Sequence, residues 1–202
     1  MKLFQDVDIR PLLLVPVLAL LAWPLIGSGS TWLTLTVAGL AMGMIIFIMA
    51  SGLTLVFGLM DVLNFGHGLF IALGAFVATS VLGAMGDWTG SGEWWRNMVA
   101  VLPAMLIAMA VAAAVGLAFE RFIVRPVYGQ HLKQILITMG GMIIGEELIK
   151  VIWGPLQIAL PLPEAMRGSV LWGEAAIEKY RLLAVVVGLA IFAAQMWVLG
   201  RT

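Results

Sequence analysis

The chain contains no cysteine. That removes disulfides, thiolate metal ligands and cysteine nucleophiles together. Charge is nearly as scarce, with 11 basic and 11 acidic residues among 202, or 11%. A soluble domain carries about 25% charged residues, so this chain could not cover a buried core with polar surface. The scarcity excludes a disordered protein, a coiled coil and an ordinary cytosolic enzyme. Net charge is zero, which leaves no basic footprint for nucleic acid. The only histidines, His67 and His131, are too few and too far apart in sequence for a usual metal centre. There is no G-x-x-x-x-G-K-[ST] phosphate loop and no H-E-x-x-H. No catalytic residue, metal or cofactor is expected.

What is present is hydrophobic residue, 62% of the chain, in long runs. Pro11 to Met60 carries no formal charge, nor does Asn97 to Phe119 or Leu182 to Gly200. A helix needs about 20 apolar residues to cross a hydrocarbon layer of about 30 Å. Its backbone must hydrogen-bond within itself there, and the continuous runs argue against the alternation of a β-barrel. The expected fold is all-α, a polytopic transmembrane helical bundle. About six hydrophobic segments are expected, near 12–26, 33–60, 69–85, 98–119, 134–153 and 182–199, with a broken helix region near 52–68. Lys2 and Arg10 before the first segment suit a signal peptide, but Asp6 and Asp8 offset them and no clear A-x-A site follows, so an uncleaved helix is expected.

Orientation follows from basic residues in short loops. A cytoplasmic N-terminus places Lys2, Arg10, Arg121, Arg125, Lys133 and Arg201 inside. Trp23, Trp32, Trp88, Trp94, Trp95, Trp153 and Trp172 then gather at the outer interface, and Trp197 and Tyr128 mark the inner one. The 154–181 stretch is expected to be a long irregular outer loop, its Glu174, Glu178 and Arg181 forming a short solvated helix into the last span. Glu146 and Lys150 are expected to pair at i, i+4.

Gly39/Gly43 and Gly141/Gly145 are G-x-x-x-G pairs, and Ala108, Ala112 and Gly116 share the spacing. Close helix packing is the expected role of all three sets. Asp61, Asn64, Gly66, His67 and Gly68 differ, because three polar side chains and two glycines interrupt an apolar pattern within eight residues. One reading is a functional break, with a helix starting near Gly68 and aiming its free N–H groups at an anionic group. The two glycines would then permit a tight turn. The other reading is an ordinary cytoplasmic turn in which Asn64 caps the next helix and His67 is solvated. The residues alone leave both open.

Gly52-Leu53-Thr54-Leu55-Val56-Phe57-Gly58, then Asn64-Phe65-Gly66-His67-Gly68 and Leu73-Gly74-Ala75, resemble the branched-chain amino acid permease subunits of ABC importers. Those subunits read N-F-A-H-G at the second motif, with alanine where this chain has Gly66. Glu120-Arg121 with Arg125-Pro126-Val127 resembles their E-R-x-x-x-R-P-V stretch, and Thr138-Met139-Gly140-Gly141-Met142 their T-I-G-M region. The resemblance implies a multi-pass permease of the bacterial inner membrane, for branched-chain amino acids or related small carboxylates and amides. It implies partners: a second related permease subunit, two cytoplasmic ATPase subunits that supply the energy, and a periplasmic substrate-binding protein. It also implies a substrate path beside Asn64, Gly66, His67 and Gly68, with Asp61 near it. Residues 1–202 then read as the N-terminal portion of a single transmembrane permease domain, a fragment or a truncated product. A secondary transporter or channel with a discontinuous helix is the alternative from the residues alone, and a purely structural membrane subunit a third.

Overall fold

The structure is a computed structural model and describes residues 10–200, with side chains from Leu13 onward. Lys2, Asp6, Asp8 and Arg201 of the orientation argument lie outside the described residues, as does the side chain of Arg10. All six expected segments are helices: α1 (Arg10–Ile26), α2 (Gly29–Met60), α3 (His67–Ala84), α5 (Trp94–Phe119), α6 (His131–Trp153) and α7 (Lys179–Leu199). A one-turn helix, α4 (Gly86–Thr89), sits between α3 and α5. After Phe119 the chain winds on through a π turn (Glu120–Val124) and a 3-10 turn (Arg125–Val127). Among the described residues, four helices are long and apolar enough to cross a membrane: α2, α3, α5 with its continuation to Val127, and α7. Helix α1 is shorter, and α6, which carries Lys133, Glu146, Glu147 and Lys150, falls outside that set. Large apolar side chains face outward throughout, Leu117, Leu132 and Val151 among them at 70–80% exposure. Lipid tails solvate such side chains, so burial does not drive these helices together and close packing must.

The chain divides into two compact units, Met1–Ile48 with Arg167–Thr202, and Met49–Met166. In the first unit, Gly27 at φ +70° turns α1 into α2. Trp23 meets Trp32 edge-to-face at 4.9 Å, and the Trp32 indole N–H donates to the Ala19 carbonyl at 2.6 Å. Gly188 of α7 lets the Met44 side chain of α2 approach so closely that a Cβ there would lie 2.5 Å from the Met44 Cβ. Gly39 and Gly43 do not pack as expected: nothing lies within 4 Å of a Cβ at either position. They line an open apolar recess with Leu18, Leu35, Phe47 and Phe192.

The expected short helix at 174–181 is instead an antiparallel hairpin, β1 (Ser169–Trp172) with β2 (Ala175–Glu178). Gly173 at φ +65° supplies the left-handed residue that a two-residue hairpin turn requires. Helix α7 starts directly at Lys179, and Arg181 reaches back to the Glu178 carboxylate at 2.6 Å.

The second unit is built on α3 against α5. Ala100 and Ala104 are fully buried and Ala108 nearly so, and Leu82 packs on the first two. The small-residue stripe is real but begins two turns before the expected one, and Gly116 has an open surface. Gly141 and Gly145 of α6 do pack closely, against the Phe119 ring and the Leu69 side chain respectively. At one end of this unit Asn97, wholly buried, donates to the Ser91 and Glu93 carbonyls and accepts the Ala165 N–H at 3.0 Å. Trp88, Trp95 and Trp153 share that end, Trp153 donating to Ser80 at 2.7 Å. Asp61, Tyr128 and His131 lie at the opposite end, where α2 stops and α6 starts.

Candidate functional site: a re-entrant break between two helices

Helix α2 is continuous through the glycine-rich 52–60 stretch, so the break is shorter than expected and occupies residues 61–66. Asp61 ends the helix. Its N–H still donates to the Phe57 carbonyl at 2.9 Å, but its φ is +53°, in the left-handed region. Helices commonly stop on such a residue, and aspartate tolerates the conformation better than most non-glycine residues. Gly66, at φ −73°, does not use a glycine's conformational freedom. Its lack of a side chain is used for space, since a Cβ there would sit 3.1 Å from the Asn64 Oδ1 and 3.3 Å from the Phe119 ring.

The segment climbs between α2 and α6, and four contacts record the climb. The Asp61 carboxylate lies 3.8 Å from His131, the first residue of α6. The Leu63 N–H donates to the Gln134 Oε1 at 3.4 Å, and the Phe65 N–H to the Thr138 hydroxyl at 3.2 Å. The His67 Nε2–H donates to the Met49 carbonyl at 3.1 Å. Thr138 is seven residues into α6, about 10 Å along its axis at ~1.5 Å per residue. Met49 is eleven residues before the end of α2, about 16 Å along that axis. Helix α3 therefore begins well inside the layer of helices, not at the level where α2 ends.

Neither Asn64 nor His67 takes the role that the turn reading gives it. The Asn64 Oδ1 accepts the Gly66 N–H at 3.0 Å within the break, and α3 has no side-chain cap. His67 is held against α2, its ring 3.0 Å from where a Gly52 Cβ would be, so Gly52 makes room for it. Gly68 opens α3 with nothing within 4 Å of its Cβ position and stays exposed. The structure thus brings Asn64, Gly66, His67 and Gly68 together at the N-terminal end of an 18-residue helix. That end carries the positive pole of the helix dipole, with the His67 N–H given to the Asn64 carbonyl and the Leu69 N–H to the Gly66 carbonyl. Asp61 stands apart at the foot of the climb, its side chain 76% exposed.

Two residues of this arrangement are not among the site residues expected from sequence: Gln134, and Thr138, which sequence marks only as the start of a family-like stretch; both are fully buried. The signal available was a polar pair at i, i+4 in an otherwise apolar stretch. The Glu146–Lys150 pair is also corrected: Lys150 bonds Glu147 at 2.6 Å, because i, i+3 partners compete on the same face. Among the described residues no group of three or more His, Asp or Glu side chains could hold a metal ion.

The family described as branched-chain amino acid transport system / permease component matches residues 35–202. The high-affinity branched-chain amino acid transport system permease protein LivH of Escherichia coli K12 is 30% identical over 124 residues, and that of Salmonella typhimurium 27%. Each match covers 61% of this chain and 39% of the relative, so the matched stretch spans about two fifths of those proteins' length. No solved structure matches the chain. With four helices among its described residues able to cross a membrane and a family match over most of its length, this multi-pass membrane protein belongs to the branched-chain amino acid transport system permease component family.

Proposed function

We propose that this chain is the N-terminal portion of the transmembrane permease domain of a bacterial ABC importer for branched-chain amino acids or related small carboxylates and amides. It lies in the inner membrane with its N-terminus cytoplasmic. It works with a second related permease, two cytoplasmic ATPase subunits and a periplasmic binding protein. It performs no catalysis itself, and ATP hydrolysis by the partners biases its conformations in a cycle. The substrate path runs beside Asn64, Gly66, His67 and Gly68, with Asp61 at its cytoplasmic mouth.

The observation that carries this reading is the climb of residues 61–66, which sets the Phe65 main chain beside Thr138, about 10 Å along α6. Transporters place the N-terminal ends of discontinuous helices at substrate carboxylates, near the middle of the bilayer. Irregular backbone at membrane depth is tolerated where protein buries it or where it lines a cavity. In the complete transporter, Asn64→Leu and His67→Leu are expected to impair uptake while assembly is kept. Normal uptake by both variants would reject the path. Orientation has its own test in this cysteine-free chain. A cysteine at Gln130 should label only from the cytoplasm and one at Ser91 only from outside, and the reverse pattern would refute it.

A further inference from the structure

We propose that Gln134 and Thr138 are positioning residues that hold the re-entrant segment in register and so set where the N-terminal end of α3 lies on the substrate path. The inference rests on the substrate-path reading above.

A non-helical segment between two helices has main-chain N–H groups that neither helix satisfies, and in a membrane they must find partners. Helix α6 supplies acceptors from side chains one turn apart. The Gln134 Oε1 takes the Leu63 N–H, and the Thr138 hydroxyl takes the Phe65 N–H. The spacing matches, since N–H groups two residues apart in the break meet acceptors one helical turn apart on α6. The Thr138 hydroxyl donates its own proton to the main-chain carbonyl of Gln134 at 2.7 Å, which leaves its lone pair facing the break. Both side chains are wholly buried.

The Gln134 Nε2, also buried, has no hydrogen-bond partner among the described residues. Apolar packing would be served as well by leucine without that orphaned donor. What glutamine adds is the acceptor at Leu63. Beyond Phe65 the chain turns at once into Gly66 and His67 and then α3, so a shift of the Leu63–Phe65 pairing carries the head of α3 with it.

The test uses the complete transporter. Thr138→Val keeps the side chain's shape and removes the hydroxyl, Thr138→Ser keeps the hydroxyl, and Gln134→Leu removes the other acceptor. One readout is the labelling rate of a single cysteine at Gly68 with a small water-soluble thiol reagent. The other is KM against maximal rate for uptake, measured with Gly68 intact. Thr138→Val and Gln134→Leu are each expected to change the labelling rate and KM by about fivefold, the worth of one net hydrogen bond. Thr138→Ser should restore both. If Thr138→Val fails to assemble, Gln134→Leu carries the same comparison. Unchanged labelling in the variants that assemble would overturn the clamp whatever the fate of the transport reading. A changed labelling rate with unchanged KM would overturn the proposal through the reading beneath it, since α3 would have moved without consequence for substrate.

Discussion

Tyr128 and Glu120 illustrate how single residues behave at the end of the second unit where the basic turn lies. The Tyr128 hydroxyl donates to the Glu120 carboxylate at 2.6 Å. That hydrogen bond, helped by slight burial and by the repulsion between carboxylate and phenolate, raises the Tyr128 pKa above its ordinary value, while Arg125 opposes the shift. A raised folded-state pKa means that the contact stabilises the fold below pH ~10 and is lost as pH rises through the folded value. The chain has only two tyrosines. In a Tyr180→Phe background, phenolate absorbance should therefore titrate with a midpoint above ~10, and Glu120→Gln should return it towards ~10. A midpoint that Glu120→Gln leaves in place would contradict the assignment. Other residues differ in how far sequence disclosed them. Asn64 and His67 are conspicuous because polar groups interrupt an apolar run. Gln134 and Thr138 are not, because their role depends on main-chain donors 71 and 73 residues away. The left-handed conformation falls on Asp61, not on either glycine, because the helix stop lies six residues before α3 begins.

Among the elements, α6 is fixed by two glycines on the face that meets Phe119 and Leu69. Phe119 is itself held edge-to-face by Phe70 at 5.3 Å and packs with Val62 and Val124. A Cβ at position 141 would lie 2.5 Å from the Phe119 ring, which has little room to move. Gly141→Ala is therefore expected to destabilise the purified protein by about 1–3 kcal/mol through overpacking. Phe119→Leu in the same chain should recover part of that loss. Thermal unfolding in detergent would check it, and an unchanged midpoint for Gly141→Ala would show that the ring yields freely. The helices themselves were legible because their apolar runs are long and their ends are marked by charge. The hairpin was not, since Glu174, Glu178 and Arg181 have helical spacing while the turn depends on the left-handed Gly173. Gly39 and Gly43 have the same motif as Gly141 and Gly145 but no neighbour, because spacing records only the capacity for close approach.

For the whole molecule, lipid is the solvent, and scarcity of charge is what made the fold class readable. The proposed substrate path was less readable, because a turn at the membrane surface and a re-entrant break share the same residues. What distinguishes them is depth, a property of the packed helices and not of the sequence; here His67 reaches Met49 and Phe65 reaches Thr138. The central claim is that substrate passes the head of α3. The most direct measurement is protection of a single cysteine at Gly68, a position with open space for the new side chain. In the complete transporter, a small membrane-impermeant thiol reagent should reach this cysteine, and a transported substrate should slow its labelling several-fold. A cysteine that reacts readily, at the same rate with and without substrate throughout the ATP-driven cycle, would contradict the account.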